Sequence, residues 1–273
     1  MTENNQNKIK KIDILSWDKV TLDKTLKSDN IIPENFRGKI FLDPEKDFVL
    51  NMQIGKSLET VCPTNAISYK SDQESISLDV GKCIFCGNCQ QKAPELIKIT
   101  NSFDGAKKRK NQLLEIFPEY IPFEKTFEEL GSELKHKINK TLGRSLAIRE
   151  IDAGSCNGCE IEISALNNPI YDIEQYGIHF VASPRHADLL LVTGPASKNM
   201  EKALKIAYDS TPEPKMVIAV GACACSGGIF GKNYATTGGI DSIVPVDVFI
   251  PGCPPRPQAL IYGIMMALNK IKL

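Results

Sequence analysis

The chain has 273 residues, enough for one large domain or two modest ones with real cores. Its 33 Lys and Arg balance 33 Asp and Glu, which gives no reason to expect nucleic acid as a partner. No apolar run approaches the roughly 20 residues a membrane helix needs, and the polar start, residues 1–11, lacks a secretory apolar region, so the chain is expected in the cytoplasm, with any membrane attachment through a partner.

Residues 1–38 form a polar N-terminal extension. A small domain is expected over 39–102, opening with a strand at 39–42, loop-rich from 43 to 94, with another strand at 75–78. Residues 103–143 are charged and helix-favouring, but Phe117-Pro118 and Ile121-Pro122 interrupt them, so they read as a linker with one or two helices. The basic run Lys107-Lys108-Arg109-Lys110 within it reads as a solvated linker or helix end. From 144 to 273 the character changes. Short, mostly apolar runs at 145–151, 178–182, 188–193, 216–220 and 246–250 suit buried parallel strands. Helical segments at 160–166, 199–208 and 257–271 lie between or after them, which predicts an open α/β sheet with helices on both faces.

Nine cysteines are grouped rather than scattered, and in a reducing compartment grouped cysteines read as metal ligands or redox groups, not disulfides. Cys83-Ile-Phe-Cys86-Gly-Asn-Cys89 has two-residue gaps, which let one loop present thiolates to three corners of a cubane; the fourth must arrive from elsewhere. Cys62-Pro63 supplies it. Asp43-Pro-Glu-Lys-Asp47 mirrors Asp79-Val-Gly-Lys-Cys83, which puts Asp47 where a first Cys would stand, while Ala93-Pro94 stands where a fourth Cys-Pro would. All ligands of one cluster are therefore gone and all four of the other remain. The segment resembles a bacterial two-cluster ferredoxin reduced to one [4Fe–4S] cluster, held by Cys62, Cys83, Cys86 and Cys89. The competing reading is a four-thiolate zinc site, although zinc ribbons show two Cys-x2-Cys pairs rather than a triple plus Cys-Pro.

The remaining cysteines follow predicted strands, where open α/β sheets bind ligands. They lie in Gly154-Ser-Cys-Asn-Gly-Cys-Glu160, Gly221-Ala-Cys-Ala-Cys-Ser-Gly-Gly228 and Pro251-Gly-Cys-Pro-Pro-Arg-Pro257. With Ser183-Pro-Arg-His-Ala-Asp188 and Val192-Thr-Gly-Pro195, these motifs resemble the small subunit of membrane-bound, energy-converting [NiFe]-hydrogenases, itself similar to the complex I subunit that holds the terminal cluster. The resemblance runs from Ser145 to the C-terminus. It implies a flavodoxin-like domain with a proximal [4Fe–4S] cluster on Cys156, Cys159, Cys223 and Cys253, and the ferredoxin resemblance implies a small ferredoxin-like α+β domain before it. It further implies electron relay through two [4Fe–4S] clusters to or from a hydrogenase large subunit, in a chain not catalytic alone. The implied partners are that large subunit or a complex I-like one, ferredoxin or another iron–sulfur subunit, and membrane subunits indirectly, which would hold the chain on the inner face of the cell membrane. The spaced Cys156-x2-Cys159 follows the hydrogenase form, since the complex I subunit usually has two adjacent cysteines there. Complex I-like quinone or other oxidoreductase chemistry is the alternative, and a zinc-stabilised interaction module the second.

Secondary candidates are weighed against ordinary roles. Glu160 could relay protons, or it could be a helix N-terminal acid favoured by the dipole. Arg185 is a candidate donor to cluster sulfurs or to a partner; an ordinary surface salt bridge is the alternative. Cys225 reads as a small buried residue, with replacement of Cys223 as ligand the minority reading. His136, His179, Trp17 and Met265-Met266 lack motif context, and the Gly-rich stretches 227–231 and 238–239 lack the Lys-Ser/Thr of a phosphate loop.

Overall fold

The computed structural model describes residues 36–45, 48–117 and 143–268. The first body is α+β. Strand β1 (Lys39–Leu42) pairs antiparallel with β4 (Ile97–Thr100), from Lys39 opposite Thr100 to Leu42 opposite Ile97. Strands β2 (Ile67–Lys70) and β3 (Ser75–Asp79) form a hairpin. β1 and β3 alternate between half-buried and buried residues, the two-residue period of a strand with one covered face. Ile40, Leu58, Ile67, Ile76, Leu78, Leu96 and Ile97 build the core.

The stretch expected to be loop-rich holds a ten-residue helix, α1 (Met52–Val61). The Asn51 side chain accepts a hydrogen bond from the Ile54 N–H at 2.9 Å, which caps an otherwise orphan donor. Gly55 weakens the helical signal, yet the packing requires it: a Cβ there would lie 2.3 Å from the Tyr69 ring. A shorter helix, α2 (Asn88–Lys92), starts at the far end of the Cys83–Cys89 loop. The comparison of Asp47 with Cys83 falls on a residue outside the described ones.

Residues 103–117, the start of the expected linker, are ordered against both bodies. Ala106 is 1 % exposed in one core of the second body and Leu113 is 1 % exposed in its other core. Lys107 and Phe249 exchange backbone hydrogen bonds of 2.9 and 2.8 Å. A 3-10 turn (Lys110–Leu113) then leads into β5 (Leu114–Phe117), which adds to the first body's hairpin sheet in the order β2-β3-β5. The basic run is thus not fully solvated: Lys107 is half-buried, and Lys110 pairs with Asp241 at 2.8 Å. Within 103–117, Leu114-Glu-Ile-Phe117 completes an open strand edge, and the rest of the expected linker, 118–142, lies outside the described residues.

The second body carries β6 (Leu146–Asp152), α3 (Gly158–Ala165), β7 (Ile178–Phe180), β8 (Leu189–Thr193), α4 (Lys198–Ser210), β9 (Met216–Val220), α5 (Gly221–Ser226), β10 (Val248–Ile250) and α6 (Pro257–Leu268). Its five strands are all parallel in the order β10-β9-β8-β6-β7. Counted within this body the order is 2-1-3-4-5, which is flavodoxin-like topology. Every residue of β8 and β9 is buried, as in sheets covered on both faces. Leu189 and Leu191 face the core beneath α3 and α6, whereas Leu190 and Val192 face the one beneath α4 and α5. The apolar stretch near the C-terminus is α6, buried almost throughout. Among the described residues no helix is long and apolar enough to cross a membrane.

Candidate metal centres

Cys62 stands at the C-cap of α1, and Cys83, Cys86 and Cys89 lie on the loop that ends in α2. All four line one pocket, with Ala66, Ile67, Leu78 and Gly87 among the other walls. The Ala66 N–H donates to Cys62 Sγ at 3.2 Å and the Phe85 N–H donates to Cys83 Sγ at 3.3 Å. Such N–H groups stabilise charge on sulfur. Phe85 takes a φ of +57°, strained for a bulky residue, in the middle of the loop. Burial, then the neighbouring thiols Cys89, Cys62 and Cys86, push the Cys83 thiol up to about 12, and Cys89 also rises, chiefly through burial. Burial disfavours the bare thiolate at Cys83 and Cys89, and a bound cation would offset that cost.

The second set gathers beyond the carboxyl ends of three strands. Cys156 and Cys159 follow β6, Cys223 follows β9 on α5, and Cys253 follows β10. Burial drives the Cys159 thiol far above its ordinary range, with further contributions from Glu160, Cys223, Cys156 and Cys253. Cys223 rises to about 11, first through burial and then through Cys253 and Cys156. The three loops meet at Gly221, where an added Cβ would lie 2.7 Å from Cys159 Sγ and 3.5 Å from the Gly252 carbonyl oxygen, beside Cys253. Glycines clear room around the sulfurs: Gly221 sits at φ +84°, and a Cβ on Gly228 would lie 3.1 Å from Cys223 Sγ. Cys156 and Cys253 are exposed, so this set opens to the surface.

Both donor sets fit a cubane. The first set has four thiols with N–H groups on two of its sulfurs, the second four thiols beside glycine cradles, and each is a donor set of the kind a [4Fe–4S] cluster takes. Zinc would draw its sulfurs to about 2.3 Å from one point. Among the described residues no three His, Cys, Asp or Glu side chains close on a single-ion site.

Cys225 is fully buried in the core beneath α4 and α5, and its S–H donates to the Ala219 carbonyl at 3.8 Å. Glu160 opens α3, and neither carboxylate oxygen has a hydrogen-bond partner among the described residues. Glu150 on β6 shares that environment: its Oε1 is also without a partner, and burial followed by the Glu160 charge raises its carboxyl. Sequence reasoning gave no signal for Glu150. Arg185 is exposed on a 3-10 turn ahead of the N-terminal end of β8, whereas the cysteine loops follow C-terminal ends, so the structure does not bring it to the thiols. Asp188 of the same motif is buried and accepts both Arg144 Nη atoms, at 2.8 and 2.6 Å, and the Ala147 N–H at 3.0 Å, a structural clasp on the sheet. His136 and Trp17 lie outside the described residues.

The family profile for the NADH ubiquinone oxidoreductase 20 Kd subunit matches residues 156–267, wholly within the second body. The chain is 50 % identical over 135 residues to the probable membrane-bound hydrogenase subunit mbhJ of Pyrococcus furiosus, covering 50 % of this chain and 81 % of that protein. It is 48 % identical over 152 residues to formate hydrogenlyase subunit 7 of Escherichia coli, covering 56 % of this chain and 60 % of the relative. It is 51 % identical over 113 residues to an NADH-quinone oxidoreductase subunit of Geotalea daltonii, covering 41 % of this chain and 66 % of the relative.

Proposed function

Because the chain belongs to the family of the NADH ubiquinone oxidoreductase 20 Kd subunit, and so is an electron-transfer subunit of an oxidoreductase complex that is not catalytic alone, we propose that it relays electrons through two [4Fe–4S] clusters to or from the large subunit of an energy-converting [NiFe]-hydrogenase. The observation that carries this reading is the gathering of two separate four-thiol sets in one ordered chain. Cys62, Cys83, Cys86 and Cys89 would hold the first cluster; Cys156, Cys159, Cys223 and Cys253 would hold the proximal one. A bound [4Fe–4S] cluster supplies one-electron transfer. The protein's own groups hold the thiolates, donate N–H groups to them and exclude water from Cys83 and Cys89. The exposed Cys156 and Cys253 put the proximal set where a partner protein can approach. The first body, 39–102 with its continuation to Phe117, acts as the ferredoxin-like input module, and 144–273 as the proximal-cluster module. Its place is peripheral on the inner membrane face, held by partner subunits.

Anaerobic purification tests this. The chain is expected to carry about eight iron and eight acid-labile sulfide and to co-purify with a larger protein that carries two Cys-x2-Cys pairs. The pair is expected to take up or evolve hydrogen with a low-potential carrier, and the isolated chain to do neither. Cys159→Ser should stop electron transfer and leave the partner's metal loaded. Stoichiometric zinc would overturn the cluster reading. The similarity to the Geotalea daltonii protein supports a second reading, a complex I-like quinone oxidoreductase. Quinone-dependent activity without hydrogen turnover, with a partner lacking those pairs, would select it.

A further inference from the structure

Arg37 lies 48 residues from the first cysteine loop, yet its guanidinium grips that loop. Its Nη1 donates to the Phe85 carbonyl at 3.2 Å and to the Cys86 carbonyl in a short contact. Gly87 lies against the same group: at φ +82°, a Cβ there would sit 2.9 Å from Arg37 Cζ. Arg37 thus touches three consecutive residues between Cys83 and Cys89. Its neighbour Phe36 reaches the other site, because the Arg256 guanidinium lies 5.0 Å from the Phe36 ring centroid. Arg256 comes three residues after Cys253. The pair Phe36-Arg37 therefore joins the two cysteine loops through two guanidinium groups.

We propose that Arg37 is a positioning residue that sets the reduction potential of the first cluster, and that the Phe36–Arg256 stack holds this charge between the two sites. The inference rests on the two-cluster reading. The reaction concerned is one-electron reduction by a low-potential carrier, with no bond made or broken. A cluster gains negative charge on reduction, and a fixed cation beside its loop favours that state. Gripping the Phe85 and Cys86 carbonyls also fixes the peptide groups beside the sulfurs. Arg37 is solvent-exposed, so screening keeps the effect moderate. The Arg256 charge lies beside the other loop and does not substitute for it.

The test is a redox titration of the purified full-length protein followed by electron paramagnetic resonance, with each signal assigned by Cys86→Ala and Cys159→Ser. Arg37→Gln is expected to shift the first cluster's reduction equilibrium about tenfold toward the oxidised form, about 59 mV lower. Iron content and the proximal cluster's potential should not change. Arg37→Lys keeps the charge without the forked donors and should give a smaller drop. Failure to find about eight iron in the wild-type protein would sink the two-cluster reading itself. Full iron with an unmoved potential, or equal movement of both clusters, would overturn only the role of Arg37. If Arg37→Gln loses iron, Arg37→Lys decides: a first cluster retained at lower potential supports the proposal, whereas loss of iron there too, or an unmoved potential, refutes it.

Discussion

At the residue scale, chemistry follows from where each sulfur points. Cys223 and Cys225 stand two positions apart on α5, yet one joins Cys156, Cys159 and Cys253 and the other is sealed in the core. Cys223→Ala should therefore erase the proximal cluster's reduction signal. Cys225→Ala should keep it and lower stability by about 1 kcal/mol, as for a small core truncation. Spectroscopy of the two variants separates them, and the reverse result would exchange their roles. The cysteine sets were legible in the sequence because their spacing is local, as in Cys83-x2-Cys86-x2-Cys89. Arg37 was not, because it meets the first cysteine loop only through a contact with a distant segment, and Glu150 was not, because its carboxyl is set apart by burial rather than by any sequence pattern. Of the motif that holds Arg185, the buried Asp188 closes on Arg144 while Arg185 faces solvent, where a partner could meet it.

At the element scale, the parallel sheet was the most readable part. Fully apolar runs such as Leu189–Thr193 and Met216–Val220 have few alternatives to buried strands. The helix α1 was not readable, because Gly55 lowers its propensity and the reason for Gly55 is the ring of Tyr69 in another element. The strand β5 was hidden for a similar reason: its partner β3 is remote in sequence. It makes two expectations. A fragment ending at Phe117 keeps β5 and all four first-site cysteines, so it should reconstitute about four iron; a fragment ending at Ser102 leaves the edge of β3 open and should aggregate or bind less iron. Glu115 on β5 accepts the Leu42 N–H at 2.8 Å, yet burial outweighs that bond and the nearby Lys107, so its carboxyl titrates above the usual carboxylate range. The folded state then holds this proton more tightly than the unfolded chain. Its contribution favours folding below the unfolded pKa and is lost as pH rises through the folded value. Glu115→Gln should flatten that part of the stability profile in denaturant titrations across mildly acidic pH.

At the scale of the whole molecule, residues 103–117 are shared by the two bodies, which should couple their unfolding. Leu113 belongs to the second body's core, yet its carbonyl accepts the Val80 N–H at 2.8 Å from the first. Leu113→Ala should lower stability by about 2–5 kcal/mol, and calorimetry should show the two bodies melting apart where the wild-type protein melts in one transition. A single unchanged transition would mean that this side chain does not couple them. Neither the shared segment nor its two cores could be read from composition, since a run of lysines beside Leu113 looks like solvated chain.

The Lys107–Phe249 backbone exchange, the Lys110–Asp241 ion pair and the Phe36–Arg256 stack have one more consequence. Electron carriers on flexible tethers must swing into contact, and their rates fall as the solvent thickens. Here three separate contacts tie the segments that carry the two thiol sets to each other. Electron exchange between them should proceed by tunnelling across standing protein, without waiting for diffusion of one body toward the other, and added glycerol should leave its rate untouched.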